Sequence, residues 1–438
     1  MNVKPYFGKQ LIAVLFLILI NSLFINVYSQ KLNKKEKKIL AIVEKNNDEA
    51  IALLEKVVNI NSGTMNLDGV RAVGIEFDKA FSELGFETRW IDMPEEMNRA
   101  GHLFAEHKGT QGKRLLLIGH LDTVFEKDSP FQTYVYQDTI AIGPGTEDMK
   151  GGNVIMLYAL KALYEAGVLD EAQIIVALHG DEEETGKPLS VSRKTIIDAA
   201  KRSDIALGYE GATGFDEITI ARRGSSGWKL EVSGKRAHSS GIFSSDRGAG
   251  AIFETARIIH EFYNQLSNVE YLTFNPGVIL GGTFVDYDDT NFKGEAYGKS
   301  NVIPQTVIVT GGLRFISEEQ KEMARNTMRT IVAAHLPKTD ATITFWDSYP
   351  AMPPTEGNKK VMEVLSLVST DMGRGEVVAF DPLKRGAADI SFVANYTDGI
   401  DGLGSMGKNG HTPEEWMDLR SFEEFTKRSA LLIYRLTR

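Results

Sequence analysis

The run Leu115-Leu116-Leu117-Ile118 is apolar at four consecutive positions, so both faces of that strand have to be covered. A strand covered on both faces belongs inside a sheet with helices packed on each side, the arrangement of α/β proteins. The run breaks at Gly119 and presents His120 and Asp122 two positions apart, on one side of an extended chain. Taken alone, that pair also reads as a satisfied histidine beside a surface aspartate. The rest of the sequence decides between the readings.

The flanking patterns agree with the α/β reading. Residues 35–60 and 72–86 carry apolar positions at helical spacing, the second stopping at Gly85 as a C-cap. A helix is expected over 153–166 and a strand over 173–180, so β and α elements alternate around a mixed, largely parallel sheet flanked by helices. Ligands on such sheets gather beyond the carboxyl ends of the strands, and His120 sits at one. From about Gly224 the pattern changes. Strands over 227–234, 272–282 and 306–315 alternate with helices over 248–266 and 317–336, the latter opened by a Ser317–Gln320 capping box. That order is expected to give an inserted ferredoxin-like α+β lid or dimerisation domain. The expected division is residues 1–29 as a signal peptide, 30–222 and 339–438 as the two parts of a catalytic domain, and 223–338 as the insertion.

At 438 residues the chain is long enough for two or three folded units. A net charge of −10 leaves no basic stripe to neutralise phosphates, so no nucleic-acid partner is expected. The start has Lys4 and Lys9, then an apolar run from Leu11 and a small residue at Ser29, the pattern of a secretory signal. Such a signal implies export to the periplasm or the medium. The alternative is an uncleaved membrane anchor, since Leu11 to Val27 nearly reaches spanning length. The absence of cysteine excludes both a disulfide framework and a lipid-accepting Cys, leaving core size and bound metal to stabilise an exported protein.

Four further clusters join the opening pair. Asp148 sits in the glycine-rich stretch Gly143–Gly152 before a helix, where it also reads as a helix cap. Asp181, Glu182, Glu183 and Glu184 stand in succession at the end of a buried strand, where four acids repel unless a cation reverses the sign of the interaction. Glu210 ends another apolar stretch. His411 precedes Thr412, Pro413 and Glu415, which read as N-cap, N1 and N3 of a final helix. Two histidines and three carboxylates at separate strand ends form a ligand set for two divalent cations sharing one carboxylate. The donors suit zinc, with cobalt or manganese tolerated. A water shared by two such ions gives up its proton near neutral pH, and an adjacent non-ligand glutamate can accept it.

The ordered set GHLDTV, GPGTEDMKGG, GDEEETG, YEG and GHTPEEW, with the insertion before the last, resembles the M20 family of zinc metallopeptidases of the glutamate carboxypeptidase kind. The resemblance runs from about Leu40 to the end. It implies two Zn2+ per chain, one held by His120 and Glu210, the other by Glu183 and His411, with Asp148 bridging. It makes Asp122 the carboxylate that orients His120. Glu182 becomes the general base of a hydroxide-based peptide hydrolysis. Glu184 is a rival for that role, because the motif has one more residue before Gly186 than the commonest family spelling. In the insertion it implies that His238 reaches a partner subunit's site in a homodimer and polarises the scissile carbonyl. Asn301 and Arg314 match substrate-side positions. His238 also reads as a surface turn residue and Arg314 as a structural ion pair. His102, His107, His179, His260 and His335 read as structural.

The arginine that clamps a substrate carboxylate in glutamate-releasing relatives is replaced here by Tyr349, before Pro350-Ala351, and Arg385 is a substitute clamp. The expected activity is that of an exported exopeptidase of carboxypeptidase or dipeptidase type on small peptides. The alternatives are an N-acyl-amino-acid amidohydrolase of the same fold and a non-catalytic metal-binding assembly module. Membrane association is expected only if the N-terminal segment stays uncleaved.

Overall fold

A computed structural model describes residues 32–438, and the expected signal segment 1–29 lies outside them. The central sheet has six strands in the order Glu87–Ile91, His102–Lys108, Ala172–His179, Gln111–His120, Ile205–Gly208, Asp398–Ile400. The first two pairings are antiparallel and the remaining three parallel, which makes the sheet mixed and largely parallel as expected. The four-residue apolar run is divided between its faces. Leu115 and Leu117 join the core beneath helices Lys34–Val58, Lys150–Ala166 and Leu419–Leu436, while Leu116 and Ile118 join Ile196, Ala199 and Val393 on the other face. Fully burying each such side chain contributes about 1.5–3 kcal/mol, so this strand firmly anchors the His120 corner at its carboxyl end.

The inserted unit is a four-stranded antiparallel sheet in the order Thr273–Gly282, Thr306–Phe315, Gly224–Gly234, Thr339–Asp347. Helices Ala251–Leu266 and Glu318–Ala333 cover one face around a core containing Trp228, Phe262, Leu313 and Met328. This is the ferredoxin-like order. Two details differ from expectation. The strand Thr339–Asp347 pairs along its whole length with Gly224–Gly234, so the lid sheet runs past the boundary expected at residue 338. An extra hairpin, Phe284–Asp288 with Lys293–Tyr297, lies between the second and third sheet strands. Its alternating, largely exposed residues gave no sequence signal separate from the strand before it. Ser317 caps the second lid helix through the Gln320 N–H (3.1 Å), but the Gln320 side chain accepts from the Ile316 N–H, not from that of Ser317.

The lid joins the catalytic unit through two segments that lie side by side, marked by the antiparallel bridge between Arg222 and Met352. The final helix is Leu419–Leu436 with Asp418 as its N-cap, so Thr412–Glu415 is a turn and not the helix start read from its residues. No described helix is long and apolar enough to cross a membrane.

Candidate metal centre

Five strand-end and loop segments converge beyond the carboxyl ends of the central strands. Two overlapping groups of side chains place their ligand atoms within 4.8 Å of one another: His120, Asp148 and Glu210, and Asp148, Glu183 and His411. Asp148 belongs to both. One of its carboxylate oxygens lies 3.0 Å from His120 Nε2 and the other 3.0 Å from His411 Nε2. Glu210 approaches His120 Nε2 at 3.8 Å, and Glu183 approaches His411 Nε2 at 3.1 Å. All five candidate ligands from the sequence are therefore together.

Buried carboxylates behind them hold the backbone. Asp122 is fully buried and faces His120 Nδ1 at 3.3 Å. It also accepts from the N–H groups of Glu182 and Glu183, both at 3.1 Å, and from Thr64 Oγ1 at 2.7 Å. One residue thus orients a histidine and pins the acidic loop. Glu415, fully buried, accepts from the N–H groups of Gly145, Glu147 and Asp148. It fixes the turn in which Gly145 has φ +82°, a conformation glycine adopts without strain. Asp401 accepts from the Glu210 N–H (3.3 Å) and pairs with the buried Arg222 (2.7 Å). Glu415 and Asp401 were not recognised as site residues from the sequence. Glu415 carried a signal, an acid within the His411 motif, but its spacing from Thr412 imitates a helix start.

The four consecutive acids separate to four destinations. Asp181 forms a buried ion pair with Arg193 (2.5 Å), which also binds Asp389. Asp389 in turn bonds His179, which places that histidine, as expected, in the structural layer. Glu183 enters the second ligand group. Glu184 turns outward, 64% exposed, and pairs with Arg99 at 2.8 Å. Glu182 alone keeps a carboxylate with no hydrogen bond or ion pair to another described residue. This separates it from its rival Glu184.

The electrostatics fit a doubly charged guest. Burial, reinforced by Asp148, raises the Glu210 carboxyl to about 7. Burial with Asp148 and Glu415 raises Glu147 to about 8. Burial also pushes Glu182 well above the usual carboxylate range, with Glu210, Asp389 and Glu183 adding to it. Hydrogen bonds to Asp148 and Glu183 raise His411 to about 11. For His120 burial acts downward, but its bonds to Asp122 and Asp148 win and hold it well above its usual value. Glu183 Oε1 is buried without a partner. Mixed His and carboxylate donors, one shared carboxylate and an orphaned acceptor match two divalent cations, whose charge would reverse the mutual repulsion.

These raised groups make metal binding depend on pH. Near pH 7 His411, and Glu210 in part, hold protons that ligation must displace, so metal uptake releases protons and apparent affinity falls as pH falls. Titrating zinc into metal-free protein in weak buffer with an indicator dye measures this. An uptake without proton release would show that the donors are already deprotonated.

Other expected site residues sit apart from this cluster. His238 and Asn301 are neighbours on the lid, joined by the Ser239 N–H to Asn301 carbonyl bond (2.9 Å), and both are exposed. His238 Nδ1 accepts from the Ser240 N–H at 3.2 Å. Arg314 is exposed on the lid near Arg223, whose guanidinium it depresses after burial. Neither His238, Asn301 nor Arg314 bonds to the acidic cluster of its own chain among the described residues. Arg385 does reach the site, donating to the Gly211 carbonyl beside Glu210 (2.5 Å) while its buried Nε has no partner.

Residues 116–435, well over half of the chain, match the model of Peptidase family M20/M25/M40. The chain belongs to that family and is a hydrolase of the M20 peptidase class. Over 391 residues it is 27% identical to carboxypeptidase G2 of Pseudomonas sp. (strain RS-16), covering 87% of this chain and 88% of the relative. It is 24% identical over 393 residues to the succinyl-diaminopimelate desuccinylase of Rickettsia bellii, covering 85% and 92%. Its fold matches the crystal structure of the aminopeptidase PepT from Bacillus cereus with a TM-score of 0.70 at 17% identity, over 90% of this chain and 99% of that one.

Proposed function

We propose that this M20 peptidase is an exported two-zinc exopeptidase that hydrolyses a peptide bond near the C-terminus of small peptides. The observation that carries the reading is the unengaged carboxylate of Glu182 beside two ligand groups joined through Asp148. His120, Asp148 and Glu210 would hold one ion and Asp148, Glu183 and His411 the other. Bound there, the ions supply a water of lowered proton affinity and polarise the scissile carbonyl. Glu182 would accept that water's proton and pass it to the leaving amine. Arg385 offers a guanidinium to the substrate carboxylate.

The relative named carboxypeptidase G2 supports this reading, and the one named a desuccinylase supports a second, hydrolysis of N-acyl amino acids. A panel of dipeptides, longer peptides and N-acyl amino acids, offered to zinc-loaded protein, separates them. Peptide hydrolysis lost to a chelator and restored by zinc is expected. Turnover of acyl amino acids alone would favour the second reading, and no turnover of either would favour a binding module.

His238 would serve the partner subunit of a homodimer. Exposed Ile252 and Tyr263 on one lid helix and Ile279 on the edge strand give the lid an apolar face suited to a second copy. If so, inactive Glu182→Gln and His238→Ala chains, unfolded and refolded together, regain activity, because each mixed dimer holds one intact site. Random pairing gives about one quarter of the wild-type site activity if sites act independently. Confirmed chain exchange without recovery would place His238 in its own chain's site or outside catalysis.

A further inference from the structure

Tyr349 stands in one of the two segments that connect lid and catalytic unit. Its carbonyl accepts from the Ser225 N–H (2.8 Å), its own N–H donates to Ser225 Oγ (3.3 Å), and the Ser348 N–H donates to the Ser225 carbonyl (3.2 Å). The backbone is therefore laced to the other connecting segment. The side chain reaches away from this ladder, into the acidic loop. Its phenol donates to the Glu182 carbonyl at 2.8 Å and shares a 2.8 Å hydrogen bond with Thr185 Oγ1, with the ring 4.9 Å from Phe392.

A phenol has one proton to donate, and here it goes to a backbone carbonyl. Tyr349 thus has no donor left for a substrate carboxylate and does not replace the clamp arginine in kind. The other side of the same glutamate is also held, since the Glu182 N–H donates to Asp122 (3.1 Å). Two segments far apart in sequence fix the two polar backbone groups of Glu182, while its carboxylate is left unengaged.

We propose that Tyr349 is a positioning residue for Glu182, setting where its carboxylate points and registering it against the lid connection. This rests on Glu182 being the general base. A misplacement of about 1 Å at a reacting group can cost about 10²-fold in rate, so one well-placed hydrogen bond is enough to matter.

The test is a double-mutant cycle on the zinc-loaded protein, using whichever peptide or N-acyl amino acid of the panel is turned over fastest. Tyr349→Phe removes the hydroxyl and keeps the ring against Phe392. We expect kcat to fall about 10- to 100-fold, with KM within about twofold and zinc content unchanged. In the Glu182→Gln background the same change costs less than about twofold, because no base remains to be positioned. Thr185→Val, which removes the second partner of the phenol, shows the same pattern at smaller size and provides the reading if Tyr349→Phe folds poorly. An equal loss in both backgrounds, a raised KM with kcat intact, or wild-type kinetics overturns the proposal. If Glu182→Gln itself keeps wild-type kcat, the base assignment fails first. If it is inactive while Tyr349→Phe behaves as wild type, only the role of Tyr349 fails.

Discussion

Glu182→Gln is expected to lower kcat by at least ~10²-fold while leaving bound zinc nearly unchanged, within the usual range for general-base catalysis. The amide keeps the shape of the side chain and removes its proton affinity. Metal content should hold because Glu182 belongs to neither ligand group. The loop should hold as well, because it is fixed through backbone atoms by Asp122 and Tyr349 and through the bond from the Gly186 N–H to Asp181. Glu184→Gln is the matched control. Its carboxylate is exposed and paired with Arg99, so kcat should stay near wild type. If Glu184→Gln is instead the inactive variant with full metal, the assignment within the acidic run is wrong by two positions.

Asp148→Ala carries the largest expected effect on metal. Each of its oxygens faces a different histidine, so the substitution removes a donor from both groups at once. Elemental analysis should show about two equivalents of zinc in the loaded wild-type protein. The variant should retain well under one and lose activity with it. Changing a ligand of one group only, as in His411→Ala, should spare the His120 group in part. One firmly held ion in Asp148→Ala would exclude the bridge.

How much of the molecule was legible depended on how far each cause lay from its effect in sequence. The run Leu115–Ile118 announced a doubly covered strand, and its alternate residues do enter different cores. The five candidate ligands were legible because each ends a buried strand or lies in or beside a glycine-containing turn, where an ionisable group has no packing reason to be. Glu415 and Asp401 were not, since a carboxylate that caps a distant loop looks like any other acid until the chain is folded. The last lid strand was missed for a related reason. Thr339–Asp347 lies at a sheet edge and buries only Ala341, leaving Ile343 and Phe345 half-buried and Trp346 exposed, whereas its partner Gly224–Gly234 buries Trp228, Leu230 and Val232. In the sequence Tyr349 signals only the absence of the clamp arginine, and its bond to Glu182 depends on the two connecting segments lying side by side.

The division of the ligand set around the insertion also bears on how the protein is made. His120, Asp148, Glu183 and Glu210 are synthesised before the lid, while His411 and the Glu415 carboxylate that holds the Asp148 turn are synthesised after it. The lid is continuous in sequence and can close its core on a nascent chain, in keeping with the tendency of domains to fold as units during synthesis. The catalytic unit cannot, because its sheet also waits for the edge strand Asp398–Ile400. The unit begun first is completed last, and a ribosome-bound chain ending before His411 holds the mutually repelling Asp148, Glu182, Glu183 and Glu210 with no second histidine to offset them.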